Sequence, residues 1–322
     1  YGAIMGIGLG VGYLTPVKNL MLWFADNKGL ATGIAVAGFG LAKAIASPLM
    51  EYLIGTVGLV NMFFILAVIY AVMMFFGFLL IKRPADWVYD PATSHVSRAE
   101  ILRKPVFWGI WIAFYINITC GLALISQEKD ILHDVLKAFP QYAGLSPAKF
   151  AAAIAGIIGL VLAVDSVFNT AGRVGFSTLS DHLKRRETVY QVIFIMSIAV
   201  CLLQIFTNSI NNALLWAVLA MLFLINAGYG GGFSTLPVLL DQHFGTKTVS
   251  TTHGLALSAW AFAGLSGNQL ASFVVTHTPD QAHRYAALIP VLTGLFALAL
   301  ISISLVKYLG GRNGEGKRSI GA

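Results

Sequence analysis

The sequence predicts an all-α integral membrane protein, and three observations carry that prediction. Of 322 residues, 57% are apolar and only 11% are charged, with a mean hydropathy of +0.77. Average soluble domains hold about 25% charged residues, so this chain cannot cover a water-facing surface. The apolar residues also fall into continuous runs of about 20, the length of a helix that crosses a bilayer. No run alternates with period two, which excludes a membrane β-barrel and leaves helices as the elements that satisfy their own backbone in lipid.

Nine spans follow along the chain, at 1–23, 30–54, 58–81, 105–126, 149–179, 188–208, 213–238, 250–275 and 285–308. The first carries Gly6, Gly8, Gly10 and Gly12. No strand-turn-helix context supports a nucleotide-binding reading, so these are packing glycines in two overlapping small-xxx-small pairs. The second span holds Lys43 near its middle, with Phe39 one turn before and Glu51 two turns on. After the third comes a charged, Pro-containing break at 82–104, read as a linker between a three-helix segment, 1–81, and a six-helix segment, 105–308. The seventh span contains Gly228, Gly230, Gly231 and Gly232, which either pack closely or loosen the helix. Pro16, Pro48, Pro237 and Pro290 are expected to kink their helices. Residues 309–322 read as a flexible tail.

Charge sets the orientation. Fifteen of the 21 Lys and Arg lie in one alternating set of loops and the tail: Lys18, Lys28, the 82–104 group, Lys184 to Arg186, Lys247 and the group from Lys307 onward. The opposite loops hold only Lys129, Lys137, Lys149 and Arg284. The positive-inside rule makes the first set cytoplasmic, together with the C-terminus, in a multi-pass protein of the cell (inner or plasma) membrane. The net charge of +7 is therefore topological, and no nucleic-acid partner is expected. With nine spans the N-terminus falls outside. The chain opens at Tyr1, within an apolar run and without a signal-peptide pattern, and is read as a fragment whose beginning is missing. Cys120 and Cys201 sit in apolar runs and read as small core residues. No metal-ligand spacing occurs among the seven His, and no cofactor is expected.

The chemistry concentrates in the fifth span. Asp165, Asn169, Arg173 and Ser177 recur every four residues, drifting about 40° per step, so they form one slanting polar stripe. An Arg at the centre of a span costs roughly 2.5–3.5 kcal/mol on insertion scales, so Arg173 must face protein or a watery cavity. It either binds a substrate or snorkels toward the loop that follows.

At 6–40, GIGLGVGYLTPVKNLMLWFADNKGLATGIAVAGFG resembles the fourth and fifth helices of the oxalate/formate antiporter family of the major facilitator superfamily. FWGIWIAFYINITCGLALISQ at 107–127 resembles that family's seventh helix. STLSDHLKRR at 177–186 is a degenerate copy of the superfamily's G-x-x-x-D-R-x-G-R-R loop signature; Asp181, Arg185 and Arg186 fit, while Ser177, His182 and Lys184 depart from it. The resemblance implies a major facilitator fold with nine of its twelve helices present, from the fourth onward, and alternating access around a central site. It also implies small organic carboxylates as substrates. In the family an Arg eight residues before the loop Asp binds a substrate carboxylate, and Arg173 holds that place relative to Asp181. Members that exchange oxalate add a Lys from the eleventh helix. Here 250–275 contains no Lys or Arg and offers His253 and Trp260, which favours a monocarboxylate of the formate, lactate or pyruvate kind over oxalate.

The candidate substrate-binding residues are therefore Arg173, Lys43, Tyr13, Phe39, Asn169, Tyr229, His253 and Trp260. A guanidinium fork matches a carboxylate bidentately, and aromatic walls with one or two cations suit a small anion. Lys43 is either a second cation or a structural partner of Asp165 or Glu51. Asp165, Asp181, Arg185 and Arg186 are the candidate coupling or gating residues. A buried carboxyl holds a proton readily, so Asp165 is a proton-coupling candidate or a structural partner. The expected partners are a small carboxylate, the lipid bilayer and either a proton or a counter-anion, for a monomeric secondary transporter. No P-loop, activated nucleophile or metal cluster points to an enzyme. The competing function is a membrane sensor that binds a carboxylate without moving it, and the short cytoplasmic segments weigh against it.

Overall fold

The structure is a computed structural model that describes residues 2–85, 97–207, 212–279 and 285–318. Among them the chain is a helical bundle: α1 (Gly2–Trp23), α2 (Lys28–Leu80), α3 (Arg98–Leu102), α4 (Pro105–Lys137), α5 (Pro147–Asp181), α6 (Glu187–Phe206), α7 (Asn212–Phe244), α8 (Val249–Ala256), α9 (Ser258–His277) and α10 (Leu288–Arg318). Six helical stretches are long and apolar enough to cross a membrane: Pro48–Leu80, Pro105–Lys137, Pro147–Asp181, Glu187–Phe206, Ala213–Phe244 and Leu288–Gly310. α1, the first arm of α2 and the nearly continuous α8–α9 unit are helical over the other stretches that the sequence reading expected to span.

α2 is two arms that reverse on each other, not one straight rod. A straight helix of 53 residues would hold its ends about 80 Å apart. Instead, the side chains of Asn19 and Trp23, at the end of α1 beside the start of α2, both donate to the carbonyl of Lys82 (3.0 and 2.7 Å). The chain reverses at Gly58, whose φ of 80° and ψ of 166° lie where a Cβ is disfavoured. The break falls at this glycine rather than at Pro48.

α4 overruns its expected end at 126 by eleven residues. Glu128, Ile131, Leu132 and Leu136 recur at helical spacing and are all buried, so an amphipathic extension replaces much of the loop. α10 likewise continues to Arg318, into the segment read as the tail.

α7 is the hub of the 105–308 segment, and its glycines explain why. A Cβ on Gly230 would overlap the Asn169 carbonyl of α5; on Gly231, Phe176 of α5; on Gly232, Asn117 of α4; and on Gly228 it would lie 2.8 Å from Ile193 of α6. Four neighbouring glycines thus serve three different helix contacts, and α7 stays helical through them. Around it pack Phe107, Phe114, Tyr190, Phe194 and Phe296, all fully buried. The glycines of α1 behave differently: Gly6, Gly8, Gly10 and Gly12 meet no neighbour within 4 Å. They fall on two opposite sides of a helix that is exposed all round over residues 3–10, and nearly all of the second arm of α2 is likewise uncovered by the described helices.

Candidate substrate-binding site

The polar stripe of α5 turns inward, where first-arm α2, α4, α7 and α9 enclose a cavity of about 280 Å³. Phe39, Asp165, Asn169, Arg173, Tyr229 and Trp260, six of the residues expected at the site, line it. Close approach of two helices to α5 creates this place. Gly33 lies against Ser177 and the Arg173 carbonyl, and Gly40 against Thr170 and Asn169. On the other side, a Cβ on Gly172 would overlap the Ala227 carbonyl.

Arg173 is only 6% exposed. Its Nε donates to Asn169 Oδ1 (2.8 Å) and one Nη reaches the Val36 carbonyl at 3.5 Å. The guanidinium lies over Phe233 (5.3 Å) and Tyr229 (6.0 Å), so π faces stabilise it. Among the described residues no carboxylate forms an ion pair with it. A buried, planar, permanently charged donor beside a cavity, with no acidic ion-pair partner among the described residues, has the chemistry to bind an anion.

Tyr13 and His253 stand one layer behind. Tyr13 packs edge-on against Phe39 (5.6 Å), Phe233 (5.8 Å) and His253 (5.6 Å), and Phe233 in turn meets Trp260 at 5.2 Å. Both are buried, and they brace the aromatic rings that form the wall. Lys43 lies in the first arm of α2, and its side chain falls outside the described residues.

Sequence reasoning missed Asn226, Phe233 and Gly40 as cavity residues. Asn226 was visible as a polar residue in an apolar run one turn before the α7 glycines. It accepts from Asn169 Nδ2 at 2.7 Å and donates to Asp165 Oδ2.

Asp181, Arg185 and Arg186 lie at the basic end of the bundle, in a separate network. The Asp181 carboxylate accepts from the backbone N–H of Gly29 and Leu30 (2.8 and 2.9 Å), capping the first turn of α2 from α5. Arg186 bonds Asp181 at 3.4 Å and the Val238 carbonyl at 2.9 Å. Lys28 pairs with Asp241 at 2.8 Å. Arg185 bonds both Glu187 (3.0 Å) and the Lys307 carbonyl, and His243 and Gln242 also hold Glu187 (3.0 and 2.8 Å). No group of three or more His, Cys, Asp or Glu among the described residues could hold a metal, and Cys120 and Cys201 are free and buried.

Residues 1–268 match the family model described as Major Facilitator Superfamily. The chain belongs to that superfamily. Its relatives include the uncharacterised MFS-type transporter YhjX of Escherichia coli K12, 27% identical over 79% of this chain and 59% of its own length. The oxalate:formate antiporter of Oxalobacter formigenes is 25% identical over 92% of this chain and 66% of its own. Apicoplast pyruvate carrier 1 of Toxoplasma gondii is 21% identical over 84% of this chain and 56% of its own. The chain thus spans less than two thirds of the length of each. Membership of the major facilitator superfamily, together with its long apolar helices, makes it a multi-pass membrane protein.

Proposed function

We propose that the protein is a secondary active transporter of small organic carboxylates, with monocarboxylates preferred and Arg173 as the anchor. The observation that carries this reading is the buried guanidinium of Arg173, free of any carboxylate ion pair among the described residues, at the wall of a cavity of about 280 Å³. A volume near the lower end of small-molecule sites suits an acid of a few heavy atoms. Phe39, Tyr229, Phe233 and Trp260 exclude water around the ion pair that would form and strengthen it. Among the described residues Arg173 is the single basic residue lining the cavity, and α8–α9 carries no Lys or Arg, which favours one carboxylate over two. That two relatives bear the names oxalate:formate antiporter and pyruvate carrier supports the substrate class.

The mechanism in this reading is alternating access. The segments 1–81 and 105–308 rock about the bound anion, and the Asp181–α2 contact closes the basic end, taken as cytoplasmic by the positive-inside rule. The uncovered face of α1 and of the second arm of α2 is assigned to lipid. Transport is a property of the whole protein, reconstituted as a monomer. The test is counterflow in proteoliposomes: labelled pyruvate, formate and oxalate are followed into vesicles preloaded with each acid. Saturable exchange of the monocarboxylates, lost in Arg173→Ala, is expected. Binding without flux, or full exchange by Arg173→Ala, overturns the reading.

A further inference from the structure

Tyr229 stands in the cavity wall, and a glycine on another helix gives it its seat. Gly121 of α4 is buried. A Cβ added to it would overlap Cδ2 of Tyr229 and lie 2.9 Å from both Cβ and Cγ of that residue. The ring thus rests in the space that Gly121 leaves open. The same ring lines the cavity, with the Arg173 guanidinium over it at 6.0 Å. A side chain at residue 121 would have to displace it. Rotating the ring does not relieve the overlap, because the root of the Tyr229 side chain takes part in it. Nor can α7 retreat. At Gly228, Gly230 and Gly231 it already sits on α6 and α5 more closely than a methyl group would allow. Close-packed helices transmit such a clash rather than absorb it. The space that receives the displaced ring is the cavity it borders.

We infer that Gly121 is a specificity-determining position: acting through the ring of Tyr229, it sets the room beyond the carboxylate held by Arg173, and so admits an acid with a carbon body, such as pyruvate or lactate, rather than formate alone. This rests on the reading of Arg173 as the carboxylate anchor and extends it from the charged end of the substrate to the other end. Gly121 is a positioning residue, since it reaches the substrate only through Tyr229. The carboxylate is common to all these acids, so a change at Arg173 or in the rings around it moves their affinities together. A ring pushed into the cavity takes space from the longer acid alone. The ratio of pyruvate to formate affinity isolates that effect.

The bundle holds a matched comparison for this glycine. A Cβ on Gly231 of α7 would overlap Cδ2 of Phe176 and lie 2.7 and 2.8 Å from its Cβ and Cγ, the same three atoms at nearly the same distances. Phe176 lies outside the cavity lining. Gly121→Ala and Gly231→Ala therefore force equivalent overlaps with an aromatic side chain, one beside the cavity and one away from it. If both glycines served helix packing alone, the two variants would behave alike.

The experiment measures the affinities of the whole protein in detergent for formate, pyruvate and 2-oxobutyrate by isothermal titration, with thermal unfolding as the check on folding. Room for one methylene in a tight pocket is worth about tenfold or more, so Gly121→Ala should lower the pyruvate-to-formate ratio at least about tenfold, with formate affinity little changed. Gly231→Ala should lower the unfolding temperature and leave the ratio as in wild type. Tyr229→Ala removes the ring and works in the other direction: 2-oxobutyrate should gain on pyruvate. In that background Gly121→Ala should no longer alter the ratio. The Tyr229→Ala arm decides the matter where Gly121→Ala alone fails to fold. An unchanged ratio in Gly121→Ala, or an equal fall in Gly231→Ala, overturns the proposal. So does a Tyr229→Ala protein with the wild-type preference between pyruvate and 2-oxobutyrate. A wild-type protein that binds formate and excludes pyruvate also overturns it, and leaves the anchor standing. A wild-type protein that binds none of the three acids, or an Arg173→Ala protein that binds them normally, removes the anchor reading and the proposal with it.

Discussion

Arg173 and Asp181 sit eight residues apart on α5, both with side chains out of water, and their surroundings are opposite. Asp181 caps two backbone N–H groups of α2 and meets Arg186, while its neighbours Glu187 and Asp241 are held by Arg185, His243, Gln242 and Lys28. Around Arg173 there is an amide, a carbonyl and two aromatic rings, and the negative charge of Asp165 stands two amides away. Charge at the basic end is matched within the protein. In the cavity no described carboxylate forms an ion pair with Arg173, and in the proposed reading the substrate supplies that match. A buried charge with its partners removed costs several kcal/mol, which is why the proposed reading gives Arg173 a ligand as its match.

The largest expected effect breaks the matched region. Glu187 is fully buried and accepts from three side chains, so Glu187→Ala strands Arg185 and His243 around a hole. Removing one partner of a buried pair costs about 3–5 kcal/mol. A marked fall in unfolding temperature is expected, with pyruvate affinity unchanged in whatever folds. Equal loss of affinity would mean that the two regions are one site.

Arg173→Ala makes the opposite experiment. Loss of a charge-assisted bidentate contact costs about 3 kcal/mol, or about a hundredfold in affinity. Stability should hold or rise, because no internal ion pair is broken. Calorimetry of binding and of unfolding on the same sample separates the two quantities. A destabilised Arg173→Ala with normal affinity would make the residue structural.

What was legible in the sequence follows from where each contact lies. The Asp165–Asn169–Arg173 stripe lies on one helix, so its periodicity exposes it. Asn226 joins it from 57 residues away, and no local pattern carries that distance. The long apolar helices were readable because lipid demands long apolar runs. The amphipathic end of α4 was not, because its apolar residues alternate with Lys129, Asp130 and Asp134 on the outer side. The α7 glycines were visible as small residues, but their separate duties depend on which helix each one faces. Tyr13 and His253 carried the right chemistry for a binding wall, yet the rings of Phe39 and Phe233 stand in front of them.

A smaller change tests how the two regions are joined. α2 approaches α5 at Gly33, where an added methyl would overlap Ser177 Oγ and lie 2.9 Å from the Arg173 carbonyl. Backbone cannot yield as a side-chain tip can, so Gly33→Ala must push the helices apart, at a cost of about 1–3 kcal/mol. Both stability and pyruvate affinity should fall, because this crossing supports the latch and the cavity wall together. An effect on only one of them would show that the crossing serves one region.

Asp181→Asn is the mildest and the most specific. The amide keeps one acceptor for the α2 amides, loses the second, and gives up the charge that faces Arg186 and the positive end of the helix. About 1 kcal/mol is at stake, which shifts a two-state equilibrium about fivefold. Because α2 and α5 belong to different segments of the chain, that shift should favour separation at the basic end over unfolding. A cysteine placed at Ser180, which is fully buried at the α2–α5 crossing, reports it by its rate of reaction with a membrane-impermeant maleimide. The rate should rise about fivefold in the Asp181→Asn background and fall back when pyruvate occupies the cavity, if substrate and latch bias the same motion. An unchanged rate with a lowered unfolding temperature would make Asp181 a structural cap, and the cavity alone would then account for the conformational change.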